Sequence, residues 1–237
     1  MAWRGAAAAR GALHLFDWPG AGGADMQAYD PRRHHALEGY ADDLLVLLDE
    51  LSLSDPVFVG HSAGASIGAL AAARAPGLFG QLAMLAPSPC FRNDPPDYHG
   101  GFEAAQLHEL VCGLAEGQAA WAQAVAPLAM GNPERPALAR GLADKFCRMD
   151  PDVALHWARA TFLGDVRPVM AELGVPTLVM QCRDDALAPP AVGEWLLRRL
   201  RSARLLRLQA RGHCPHVSEP AEVAQALRQH GRWRGED

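Results

Sequence analysis

The sequence predicts an α/β fold: a mostly parallel sheet with a helical cap inserted between two core strands. Three observations predict it. Short apolar, β-branched runs alternate with amphipathic or Ala-rich helical stretches, the pattern of parallel βαβ units. Three loops with reactive side chains each follow the carboxyl end of such a run, where open α/β sheets place their sites. Over residues 93–167 the strand pattern vanishes and only helical stretches remain, an insertion that reads as a cap over the site.

The elements follow in order. Residues 32–52 carry Leu37, Tyr40, Leu44, Leu45, Leu48 and Leu51 at helical spacing, an apolar face to pack on the sheet. Pro56-Val57-Phe58-Val59 reads as a buried strand. Residues 65–74 are Ala-rich and read as a helix closed by Pro76-Gly77. Gln81-Leu82-Ala83-Met84-Leu85-Ala86 is a second core strand. Helices of the cap are broken at Gly117, at Gly131-Asn132-Pro133 and at Asp150-Pro151. Residues 175–181 and 204–209 are two further strands, and residues 189–201 and 219–230 the last two helices. The expected organisation is a first core part over residues 1–92, a cap over 93–167 and a second core part over 168–237. Repeats and low-complexity linkers are absent from the sequence.

The chemistry sits in the three loops. Gly60-His61-Ser62-Ala63-Gly64 fits G-x-S-x-G between a strand and a helix, a sharp turn that thrusts the serine out of the backbone. The glycines leave room for the turn, and the helix N-terminus behind it favours developing negative charge. Residues 175–181 run into Cys182-Arg183-Asp184-Asp185, a strand delivering a carboxylate to a loop. Residues 204–209 run into Arg211-Gly212-His213-Cys214-Pro215-His216, a strand delivering an imidazole. A nucleophile, an acid and a base, in that order along the chain and each at a strand end, point to a Ser-His-Asp triad.

These residues also resemble a known group. Residues 182–193, with Gly212-His213-Cys214-Pro215-His216, are similar to the RsbQ-like and karrikin- and strigolactone-receptor-like members of the α/β-hydrolase superfamily. The likeness extends through Leu37-Glu38-Gly39-Tyr40, Val59-Gly60-His61-Ser62, Ser88-Pro89, Asn93-Asp94, residues 97–103 and Ala126-Pro127-Leu128-Ala129. It covers nearly the whole chain from about Leu13 onward. It implies the α/β-hydrolase fold, with Ser62 as nucleophile, His213 as base and Asp185 as acid; Asp184 is the alternative acid. The expected activity is that of a serine hydrolase, esterase- or lactonase-like, on a small apolar ester or lactone held under the cap. The resemblance also implies a second role, a ligand-sensing regulator of a stress-response signalling protein, with slow or vestigial hydrolysis. No cofactor is needed for this chemistry.

The N-terminal region departs from the group. Ala12-Leu13-His14-Leu15-Phe16-Asp17 resembles its fourth strand and Gly20-Ala21-Gly22-Gly23 the loop after it. The three earlier strands, and the His-Gly-aromatic-Gly loop that supplies one oxyanion donor, are not found before it. His99-Gly100-Gly101-Phe102 has similar letters but falls at the entry to the cap. The N–H of Ala63 is then the remaining expected donor. Activity is expected to be compromised, and an inactive truncated homologue is a third reading. An in-frame upstream segment carrying the missing motif is the corresponding expectation.

Composition bounds the alternatives. The net charge of −5 has no basic stripe, so nucleic acid is not an expected partner. No apolar stretch approaches the roughly 20 residues that span a bilayer, so no membrane partner is expected. Met1 to Arg10 is too weakly apolar to read as an export signal. The five scattered cysteines suit reduced thiols and a cytoplasmic setting. His213 and His216 have metal-like spacing without a third ligand, so no metal is expected. Cys182 and Cys214 flank the reactive loops and read as buried, inert thiols. Gly20-Ala21-Gly22-Gly23 lacks the third glycine of a dinucleotide loop. His61 and the aromatics Phe91, Phe102, Trp121, Trp157 and Phe162 are candidates for the pocket wall.

Overall fold

A computed structural model describes residues 12–231. The reading of Met1 to Arg10 lies outside the described residues. The sheet is built from β1 (Val57–His61), β2 (Gln81–Leu85), β3 (Thr177–Gln181) and β4 (Ala203–Arg207), in that spatial order and all parallel. Every residue of β2 and β3 is buried, whereas β1 and β4 are partly exposed. That difference explains their sequences: central parallel strands are covered on both faces and read as unbroken apolar runs.

Side-chain alternation divides the core in two. Leu82 and Met84 face a cluster formed with α1 (Leu37–Glu50), α2 (Ala63–Arg74) and α8 (Pro190–Arg199). Ala83 and Leu85 face the other side, where Val223, Ala226 and Leu227 of α9 (Pro220–His230) pack. Between β2 and β3 the chain inserts α3 (Ala104–Glu116), α4 (Gln118–Met130), α5 (Pro136–Cys147), α6 (Pro151–Phe162) and the short α7 (Arg167–Met170). Their ends follow local rules. Gly131 closes α4 in the left-handed region at φ +61°, and Asp150 caps α6 by accepting from the N–H groups of Asp152 and Val153 at 3.0 and 3.3 Å. No helix of the described residues is long and apolar enough to cross a membrane.

Two expectations are corrected. Residues 12–17 form no strand: the segment is exposed along its length and joins no sheet among the described residues. A strand needs a neighbour for its N–H and C=O groups, and β1, paired to β2, has no second partner strand among the described residues. The helix expected from residue 32 starts at Leu37. Residues 30–34 instead close a turn, in which the Asp30 side chain accepts from Arg32 N–H at 2.9 Å and its carbonyl from His34 N–H at 2.8 Å.

Candidate active site

β1 delivers Ser62 to the tip of a turn that α2 continues. Ser62 has φ +54° and ψ −122°, a conformation that a non-glycine residue holds only where its surroundings impose it. They do so here. Its N–H donates to Leu85 O at 2.9 Å across the sheet end, and its carbonyl accepts from Ala65 N–H at 2.9 Å. Gly60 is needed for close approach, because a Cβ there would stand 2.5 Å from the Gly64 carbonyl oxygen. Ala63 is the first residue of α2, so its N–H lies among the amides that lack an intrahelical acceptor.

Beyond β4 the chain turns at Gly212, whose φ is +78° and whose missing Cβ leaves space for the Met130 carbonyl. His213 N–H donates to Ala129 O at 2.7 Å, which docks this loop on the end of α4. The imidazole is thereby aimed at the elbow, with Nε2 2.6 Å from Ser62 Oγ and Nδ1 2.8 Å from Asp185 Oδ2. The second oxygen, Asp185 Oδ1, accepts from the N–H groups of Leu187 and Ala188 at 2.9 and 3.0 Å, fixing the carboxylate. Asp184 points the other way: it is exposed and takes Arg211 Nε at 3.2 Å.

His61 lies behind His213. Its Nε2 is 2.6 Å from the His213 carbonyl oxygen, which can only accept, so this nitrogen carries the proton. Burial, followed by the nearby His216 and His213, pushes its pKa well below the usual histidine range. The ring of His216 is 4.5 Å from that of His61, and burial, with Lys145 and His213 beside it, pushes its pKa down to about 4. Both rings are therefore neutral near pH 7. Cys182 and Cys214 are buried and free, and burial raises both thiols, Cys214 to about 12. Among the described residues no group of three or more His, Cys, Asp or Glu side chains is placed to hold a metal ion.

Ser62, His61 and His213 open into a cavity of about 530 Å³. Phe91, Trp121, Trp157 and Phe162 line it together with His61. Phe102 does not. It packs in the cluster of Phe91, Leu107, Ala129 and Leu187, behind the wall rather than in it. The extended segment with His14, Leu15 and Phe16 forms part of the lining, as do Lys145 and Thr161. Sequence reading missed these five. A cap lysine or a helical threonine carries no local signal that it faces a cavity.

The model of the Alpha/beta hydrolase family matches residues 2–226. The strigolactone esterase D14 of Arabidopsis thaliana is 37% identical over 215 residues, which cover 90% of this chain and 80% of the relative. The karrikin insensitive 2 receptor CA of Petunia hybrida is 32% identical over 217 residues, 91% of this chain and 80% of that one. Among solved structures, the hydrolase olei00960 of Oleispira antarctica superposes with a TM-score of 0.88 at 35% identity, covering 91% of this chain and 79% of its own. The chain belongs to the α/β-hydrolase family.

Proposed function

We propose that the protein is a serine hydrolase that cleaves a small, largely apolar ester or lactone through Ser62, His213 and Asp185. The observation that carries this reading is the continuous hydrogen-bonded line from Ser62 Oγ through both nitrogens of His213 to Asp185, at the floor of an apolar cavity. His213 Nε2 takes the hydroxyl proton as Ser62 Oγ attacks the carbonyl carbon. Asp185 holds Nδ1–H and stabilises the imidazolium, and Ala63 N–H donates to the developing oxyanion. The proton then passes from His213 to the leaving alkoxide, and the acyl group stays on Ser62. Water, deprotonated by His213, attacks the acyl carbon and releases the acid.

The first test is covalent. A fluorophosphonate should modify Ser62, read by mass spectrometry of the adduct, and Ser62→Ala should lose labelling together with about 10⁴-fold or more of aryl-ester turnover. Labelling elsewhere that survives in Ser62→Ala overturns the assignment.

The receptor named among the relatives favours a second reading of the same site, in which ligand hydrolysis reports to a signalling protein. Ligand-dependent capture of one partner, lost in Ser62→Ala, supports that reading. Fast turnover of simple esters with no such capture favours the metabolic one.

A further inference from the structure

The cavity beside Ser62 is apolar over most of its wall, yet its charge is unbalanced. Among the described residues no aspartate or glutamate lines it, and Lys145 is the only lining residue with a full charge. Lys145 is also the single lysine of the chain, the other 21 of the 22 basic residues being arginine. Lys145 is exposed, and its ammonium makes no hydrogen bond or ion pair among the described residues. The end of α5 that carries it is held: Gln118 Nε2 donates to the carbonyls of Phe146 and Met149 at 2.7 and 3.1 Å, and Trp121 packs on Phe146 at 5.3 Å. The Lys145 charge acts on His216 and Cys214, which line the same cavity.

Two polar groups of the same cavity are unsatisfied. His216 Nδ1 and Thr161 Oγ1 are buried, line the cavity and have no protein hydrogen-bond partner, and Thr161 is only 9% exposed. Buried polar atoms are rarely left so, since each costs free energy unless something binds it. A neutral His216 has one N–H to donate, and Lys145 has three donors and a charge. A wholly apolar ligand would leave His216 Nδ1 and Thr161 Oγ1 without partners, while the exposed Lys145 stays hydrated. A ligand with a carboxylate end would give the His216 N–H an acceptor and meet the one full charge on the cavity wall.

We infer that the cavity selects esters or lactones bearing a carboxylate, which pairs with the Lys145 ammonium and accepts from His216, while Thr161 takes a second polar atom of the same ligand. This rests on the Ser62 hydrolase reading and adds to it the substrate class. The apolar wall carries the chain between the two ends, so the fitting substrate is a half-ester or carboxy-lactone, with the scissile carbonyl at Ser62 and the acid at the far polar group. Sites built around buried hydrogen-bonding groups discriminate strongly against analogues that leave them empty.

The probes are 4-nitrophenyl hydrogen adipate and its methyl-capped analogue, 4-nitrophenyl methyl adipate, compared at low ionic strength. The expected result is a kcat/KM ratio favouring the free acid by about tenfold or more, most of it in KM. That ratio should collapse in Lys145→Met, survive in Lys145→Arg and shrink with added salt. No preference in the wild type, or a preference that Lys145→Met leaves intact, overturns the inference. If neither ester is turned over, the hydrolase reading fails by itself, and the subsite is read by calorimetry instead. Monomethyl adipate is titrated into Ser62→Ala and into Ser62→Ala with Lys145→Met. Binding weakened about tenfold or more by the second change supports the anion subsite, and equal or absent binding in both overturns it.

Discussion

Asp184 and Asp185 are the same side chain one residue apart, and the backbone separates their chemistry. Asp185 is turned inward, with one oxygen on two amides and the other on His213 Nδ1. Asp184 is turned out to Arg211. Replacing Asp185 by Asn keeps the shape but turns an acceptor of the imidazole proton into an amide, which favours the wrong tautomer. Aryl-ester kcat is expected to fall about 10³–10⁴-fold in Asp185→Asn. In Asp184→Asn only an exposed ion pair is lost, and turnover should stay within about twofold. Steady-state kinetics on the two variants decides it, and the reverse pattern would move the acid to Asp184. The residues alone left this pair open, because two adjacent carboxylates on a loop give no sign of which way the chain turns; only the family likeness favoured Asp185. Phe102 failed for a similar reason. An aromatic beside a cavity and one packed behind its wall look alike in sequence.

At the scale of the element, the G-x-S-x-G turn reads as symmetrical but is not. A methyl on Gly60 would meet Gly64 O at 2.5 Å and Ala65 N at 2.7 Å, backbone atoms that cannot move without opening the elbow. A methyl on Gly64 meets nothing within 4 Å, and Gly64 sits in the first turn of α2, where alanine is the better helix former. Gly60→Ala is therefore expected to lose at least about 2 kcal/mol of stability and nearly all activity. Gly64→Ala should hold or gain up to about 1 kcal/mol. Thermal unfolding of the two variants checks this, and equal destabilisation would mean that the turn is held otherwise. Unbroken apolar runs made β2 and β3 legible, and Gly131 and Asp150-Pro151 marked helix ends through their backbone chemistry. Residues 12–17 were misread because composition shows what could pair in a sheet and not whether a neighbour is there. The start of α1 was misplaced because helical spacing does not reveal a competing turn such as the one Asp30 closes.

For the molecule as a whole, the four-stranded order and the inserted helices bring three distant loops together, and the same assembly buries imidazoles where core and inserted helices meet. His61 hydrogen-bonds the loop after β4, and His216 lies against it, so both are held neutral by the folded state. In the unfolded chain each returns to the ordinary histidine range, near pH 6.5. Between pH 6.5 and the folded value of about 4 for His216, the unfolded state binds more protons than the folded one, and stability must fall as pH falls. Above pH 6.5 neither state is protonated at these rings and they contribute no slope. The loss for His216 alone approaches roughly 3 kcal/mol by the bottom of that window, since each tenfold change in proton affinity is worth about 1.4 kcal/mol. His61 adds a loss of the same sign. The lowered carboxyls of Asp30 and Asp165 act in a lower range, below about pH 4, and leave the upper part of the window to the imidazoles. Melting temperature followed from about pH 7.5 to 4.5 should be flat above about pH 6.5 and decline below it. His216→Gln, which has no proton to take up, should remove a large part of that decline, equivalent to several degrees at about pH 5. A wild-type melting temperature that stays level down to about pH 5, or a decline unchanged in His216→Gln, would mean that the ring is not held neutral and that the junction of core and inserted helices opens to water.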